Sequence, residues 1–163
     1  MKKLLFVLMI FGFALPVSAQ LTPKTTCPDF VVDILDGTVN GLKTNVNLEE
    51  FKLKLPCFSS AEDENTSSKC GGGVFYKDRD LYFYSGRDYI EIREKFKGKL
   101  SLPLMGAKRG SLFKYLGNPK LKDATWDAFQ TQYGTLVLNY NTAGKVNKIQ
   151  FSTKSSETLS LCN

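Results

Sequence analysis

The sequence predicts an α+β fold: an antiparallel β-sheet with helices packed on one face, built from two helix-plus-hairpin repeats and stapled by disulfides. Three observations predict it. Apolar residues recur at helical spacing in two short stretches, which end at Pro56 and Pro119. After each proline the apolar period changes to two, with turn residues between short β-rich runs. Four cysteines, Cys27, Cys57, Cys70 and Cys162, form an even set in a chain that opens with an export leader. Burying each helix's apolar stripe against one side of a shared sheet satisfies both. The other side then stays open to solvent.

The chain has 163 residues, enough for one domain or two small units sharing a core. Met1-Lys2-Lys3 is a basic start, residues 4–15 are apolar apart from Gly12, and Pro16-Val17-Ser18-Ala19 ends in a small-x-small cleavage pattern. The leader resembles bacterial ones. Residues 1–19 are therefore expected to be a cleaved signal peptide, because the apolar run is shorter than the roughly 20 residues that span a bilayer. No cysteine follows it for lipid attachment. The expected location is periplasmic or secreted, with no transmembrane segment in the mature chain. Residues 20–100 and 101–163 are the two expected units.

In the first unit, residues 30–35 are β-rich and end at Asp36-Gly37. Asn47 is placed as a helix cap with an acid three residues on, and Leu48, Phe51 and Leu55 make one apolar helix face. Residues 59–69 are polar and low in complexity, so they read as an exposed loop. A three-stranded meander follows: residues 74–76, 81–84 and 89–93, linked by turns at Asp78-Arg79 and Ser85-Gly86-Arg87. In the second unit, residues 108–116 carry Leu112, Phe113 and Leu116 on one helix face, stopped by Gly117-Asn118-Pro119. Residues 120–127 are polar and hold the only tryptophan, Trp126. Residues 133–140 and 146–151 then form a hairpin over Asn141-Thr142-Ala143-Gly144, and Leu159-Ser160-Leu161-Cys162 can pin the terminus back. Gly41-Leu42-Lys43 and Gly106-Ala107-Lys108 each precede a helix that ends at a proline, an echo of pattern between the two units.

Three disulfide connectivities are open. Cys57–Cys70, closing the polar loop, and Cys27–Cys162, tying the ends, are favoured. The loop-entropy relation assigns them about 3 and about 4–5 kcal/mol.

Composition excludes several chemistries. There is no histidine, so no imidazole triad or HExxH zinc site can form. The cysteines lack CxxC spacing, and no metal or cofactor is expected. The leader takes Lys2 and Lys3 with it, leaving 20 of the 22 basic residues against 16 acidic ones. That small, dispersed excess argues against nucleic acid. Gly71-Gly72-Gly73 is followed by a strand and by no Gly-Lys-Ser/Thr, so it reads as a tight turn beside Cys70 rather than a phosphate loop. Asn65-Thr66-Ser67 matches a glycosylation sequon and marks exposure only.

The most informative residues are aromatic. Alternation places Leu81 and Phe83 on one strand face, and Tyr82 and Tyr84 on the other, flanked by Arg79 and Arg87. Tyrosine and arginine dominate binding surfaces, although cross-strand tyrosines also stabilise sheets. Trp126 either extends this patch or plugs the core. The meander also carries Asp78, Asp80, Asp88, Glu91 and Glu94, which define a rival reading as a carboxylate hydrolase. Turn chemistry and ordinary solvent-face alternation explain the same acids.

The stretch that closes on LGNP (residues 116–119), a polar segment with one aromatic, and YGTLVLNYNTAGKVNKIQFS (residues 133–152) resembles the small periplasmic module of the SmpA/OmlA group of outer-membrane lipoproteins. Two such modules in tandem, each with a disulfide, resemble the β-lactamase-inhibitor-protein-like fold. The resemblance covers residues 42–152. The chain departs from it by lacking a lipid-attachment cysteine, and Cys27–Cys162 would link the ends rather than stay within a module. Inhibitor activity and functional residues are therefore not carried over. The expected function is non-enzymatic binding of a protein or cell-envelope ligand, of inhibitor or immunity type among other options, through Tyr82, Tyr84, Arg79, Arg87 and Trp126. A structural envelope component is the third reading.

Overall fold

The structure is a computed structural model that describes residues 26–65 and 70–162. The expected leader, the lead-in through residue 25, and residues 66–69 of the polar stretch with its sequon lie outside the described residues.

The chain is a mixed α+β protein with two sheets. The small sheet holds β1 (Val31–Asp33), β2 (Thr38–Val39), β3 (Leu42–Lys43) and β8 (Lys99–Leu100), in the order β3-β2-β1-β8. The β-rich run of residues 30–35 is a strand only as far as Asp33, for a local reason. The Asp33 carboxylate accepts the Leu35 and Asp36 amides at 2.9 and 3.2 Å, which turns the chain. Asn40 and Gly41 both have positive φ, 49° and 77°, as a two-residue hairpin between β2 and β3 requires. The Asn40 side chain also accepts the Val31 amide at 2.7 Å.

Helix α1 (Leu48–Lys54) begins where the sequence places it: the Asn47 side chain accepts the Glu50 amide at 2.8 Å. Leu48, Phe51 and Leu55 are buried, and Phe51 stacks on Phe83 with ring centroids 3.9 Å apart. The Tyr76 hydroxyl donates to the Leu55 carbonyl at 2.7 Å, closing the helix end against the sheet.

The large sheet has eight strands, all paired antiparallel. They are β4 (Ser60–Glu62), β5 (Gly73–Tyr76), β6 (Leu81–Tyr84), β7 (Tyr89–Arg93), β9 (Leu121–Lys122), β10 (Trp126–Gln130), β11 (Thr135–Tyr140) and β12 (Val146–Ser152). Their order is β4-β5-β6-β7-β12-β11-β10-β9. The meander of residues 74–93 therefore forms as expected and meets the C-terminal hairpin through β7 and β12. Helix α2 (Arg109–Leu116) precedes the second half and ends at Gly117, whose φ is 73°.

Two stretches read as loops are strands. Ser60–Glu62 pairs with β5 as an edge strand. A polar edge strand needs no apolar alternation, and its polarity discourages pairing with other chains. Leu121–Lys122 and the start of β10 lie in the polar stretch of residues 120–127. Its pattern is masked because Asp127 occupies an inward position.

One hydrophobic cluster draws on both sheets and both helices, from Val32 and Leu42 through Phe51 and Leu112 to Ile149 and Phe151. A smaller cluster of Phe75, Tyr84 and Tyr89 lies on the opposite face of the large sheet. This division explains the disulfides, which differ from the favoured pairing: Cys27 joins Cys57, and Cys70 joins Cys162. Cys27 and Cys57 pack against the main cluster, and Cys70 and Cys162 against the smaller one. Loop length suggested Cys57–Cys70, but the sheet separates those two residues.

The Gly71-Gly72-Gly73 run is close-packed. Gly71 and Gly72 have φ of 75° and 85°, and a Cβ on Gly86 would lie 2.0 Å from the Gly71 carbonyl oxygen. The turns leading into β5 and β7 touch through bare backbone there. Gly86→Ala is expected to cost about 1–3 kcal/mol in urea unfolding. A cost indistinguishable from zero would show that this contact is not tight.

Candidate functional site

Alternation along the strands gives the large sheet two faces. Val74, Leu81, Phe83, Ile90 and Ile149 enter the main core. The registers place Phe75, Tyr82, Glu91, Gln150, Val137 and Ala128 in one row on the second face. Tyr82 and Tyr84 lie on this face, and Trp126, for which the sequence left face and core both open, lies on it too.

The face is not bare. The C-terminal segment crosses it, with Leu159, Leu161 and Cys162 packed against the Phe75–Tyr84–Tyr89 cluster. Tyr84 is only 9% exposed, stacked on Tyr89 at 4.6 Å and tilted against Phe75 at 5.4 Å. The Tyr89 hydroxyl accepts the Cys162 amide at 3.0 Å. Arg87 donates to the Ser160 hydroxyl at 2.7 Å, so it holds the segment down. Burial pushes the Tyr84 and Tyr89 hydroxyls above the usual tyrosine pKa.

The five expected contact residues therefore separate. Tyr84 and Arg87 serve the covering segment. Arg79 sits in the 3-10 turn before β6, 3.3 Å from the Asp78 carboxylate. Tyr82 is half-buried beneath Arg93, whose guanidinium carbon is 4.0 Å from the ring centroid. Trp126 is half-buried four strands away, about 19 Å at the usual strand spacing. No single tyrosine–arginine–tryptophan patch forms.

A polar line crosses the centre of the face. Glu91 is 2% exposed. It accepts from Arg93 Nε at 2.5 Å and from Gln150 Nε2 at 2.7 Å. Gln150 Oε1 in turn accepts from Asn139 Nδ2 at 3.0 Å. Lys148 Nζ lies 3.9 Å from Glu91 Oε2 and is partly exposed. Each buried member thus has a partner, which keeps the line rigid.

On either side of Asn139 and Lys148 the surface is hollow. Toward the covering segment is a cavity of about 250 Å³. Trp126, Ala128, Val137, Leu159 and Leu161 form its apolar walls. Ser156 also lines it, and its hydroxyl, sealed away from the open space, has no hydrogen-bond partner among the described residues. Toward the far ends of β7 and β11 is an open hollow of about 550 Å³ lined by Arg93, Lys95, Asp80 and Glu94. Asn139 and Lys148 wall both, so the two read as one trough, apolar at one end and charged at the other.

The sequence reading missed Arg93, Asn139, Lys148 and Gln150 as site residues. Their signal was present: in β12 the positions between Val146, Ile149 and Phe151 that face outward are polar. Which side of the sheet would carry a hollow depended on where the C-terminal segment lies.

The meander carboxylates have local work. Asp80 and Asp88 have φ of 55° and 56° and end two 3-10 turns. Asp80 Oδ2 accepts the Lys95 amide at 2.8 Å. Asp88 accepts from the Thr44 hydroxyl and, at 2.5 Å, from the Thr153 hydroxyl. Asp78 lies 3.4 Å from the Ser59 hydroxyl, and Glu94 only lines the trough. Among the described residues no group of three or more Cys, Asp or Glu side chains converges on a metal-sized site. No helix among them is long and apolar enough to cross a membrane.

No known protein family matches this chain, and neither a curated protein nor a solved structure shows detectable similarity to it.

Proposed function

We propose that this chain is an exported, non-enzymatic binding protein, periplasmic or secreted, that holds a protein or cell-envelope ligand in the trough on the second face of its large sheet. One observation carries the reading. The trough combines apolar walls, a rigid polar line and a partly exposed cation, the mixture that ligand sites use. The expected leader and the two disulfides support export. Each half of the large sheet is a four-strand meander preceded by one helix, and we read the halves as copies of one unit packed side by side. The engagement of Asp80, Asp88 and Glu91 in turns and in the polar line leaves the hydrolase reading without a free carboxylate pair among them.

Trp126 is the only tryptophan and lines the trough, so its fluorescence reports occupancy. Envelope material from the source organism, divided into lipid and protein fractions, is titrated into the oxidised mature protein. At least one fraction is expected to shift Trp126 emission saturably. Ala128→Phe, which fills the apolar end, should remove that response, and Lys148→Glu should weaken it with the fold intact. A flat response to both fractions would overturn the proposal. So would a response that survives both substitutions.

A further inference from the structure

We infer that the trough takes a single-chain anionic amphiphile, its apolar chain lying against Trp126, Val137, Leu159 and Leu161 and its anionic head group meeting Lys148. This rests on the binding role proposed above and adds the chemical class of the ligand.

Charge decides the head group. Lys148 stands at the junction of the two hollows, and its ammonium is 3.9 Å from Glu91 Oε2, too long for a hydrogen bond. Glu91 is already satisfied by Arg93 and Gln150 at short distances, so its longer ion pair with Lys148 is the contact an incoming anion would replace. Arg93 and Lys95 line the same open hollow opposite Asp80 and Glu94, and Arg93 is held by Glu91, so Lys148 at the junction is the cation placed to meet a head group. The Asn139 amide beside Lys148 adds a polar wall.

Shape decides the chain. From Lys148 the trough runs to an apolar end of about 250 Å³, below the usual size of a drug-like pocket, which suits one narrow chain. Ala128 keeps the floor low at that end, and Leu159 and Leu161 of the covering segment form one wall.

The test uses defined probes below their micelle concentrations: dodecanoate, lauroyl lysophosphatidylglycerol, neutral dodecanol and cationic dodecyltrimethylammonium. Trp126 emission is expected to move to shorter wavelength and saturate with one or both anionic probes; the two arms tell a carboxylate from a phosphate head. Dodecanol and the cation should bind at least about tenfold more weakly, and Lys148→Gln should cost about tenfold in affinity for the anionic probe. Added salt should weaken the anionic probes alone. Lys148 is partly exposed, so its substitution is not expected to unfold the chain, and a melting curve checks this. Equal binding of all four probes, or none by the anionic pair, overturns the inference. If the anionic pair fails while an envelope protein fraction still shifts Trp126, the binding role stands and the ligand class falls. If both fail, both fall.

Discussion

Arg109→Ala is expected to destabilise the protein by about 3–5 kcal/mol, the usual cost of leaving a buried charge without its partner. Asp127 is fully buried on the core side of β10. Arg109, the first residue of α2, grips it with a fork: Nε donates to Oδ2 at 2.9 Å and Nη2 donates to Oδ1. The Tyr140 hydroxyl donates to Oδ2 at 2.8 Å, and the guanidinium lies 4.8 Å from the Tyr140 ring centroid. Arg109 also donates to the carbonyls of Asp123 and Ala124 at 2.7 and 3.1 Å, so one side chain ties the helix to the β9–β10 turn. Arg109→Lys should recover little, because an ammonium cannot reproduce the fork. Pairing Arg109→Met with Asp127→Leu should recover most of the loss, since it removes the buried charge altogether. Urea unfolding measures all four proteins. A single Arg109→Ala variant within about 1 kcal/mol of the parent would mean that Asp127 finds another partner or water.

Replacing Cys70 and Cys162 together with serine is expected to have an effect of similar size. The bridge spans 92 residues, for which the loop-entropy relation assigns about 4–5 kcal/mol. The specific consequence is local. Leu159 and Leu161 are only half-buried, and the segment is anchored to the face by hydrogen bonds from Arg87 to Ser160 and from Cys162 to Tyr89. Without the bridge, amides near residues 159–162 should lose protection in hydrogen exchange, Tyr84 should become accessible, and the apolar wall of the trough should go with them. The Cys27–Cys57 bridge closes a shorter span of 30 residues, so replacing both of its cysteines should cost about 1 kcal/mol less, with the segment still in place. Undiminished protection near residue 162 in the Cys70/Cys162 variant would show that apolar contact alone holds the segment.

Much of the secondary structure was legible from local chemistry. The Asn47 cap, the apolar face of Leu48, Phe51 and Leu55, the Gly117 stop and the period-two meander all follow from interactions within a few residues. The Val39-Asn40-Gly41-Leu42 hairpin was equally readable, because Asn-Gly is the strongest two-residue turn signal, yet it was passed over. Strands β4 and β9 were not readable in the same way. They are short, polar and at the sheet edges, and they exist because a neighbour supplies hydrogen bonds.

Local sequence pattern was enough for an α+β chain with four paired cysteines, no imidazole chemistry, and a strand face carrying Tyr82 and Tyr84. Only the tertiary structure decided which cysteines meet, that the C-terminal segment covers Tyr84, and that the hollow surface lies beside Lys148 and Trp126. The physical reason is range. Caps, turns and alternation are set by neighbours along the chain. The path of residues 155–162 across a sheet, and the burial of Asp127 against Arg109, depend on groups brought together only once the whole sheet has formed.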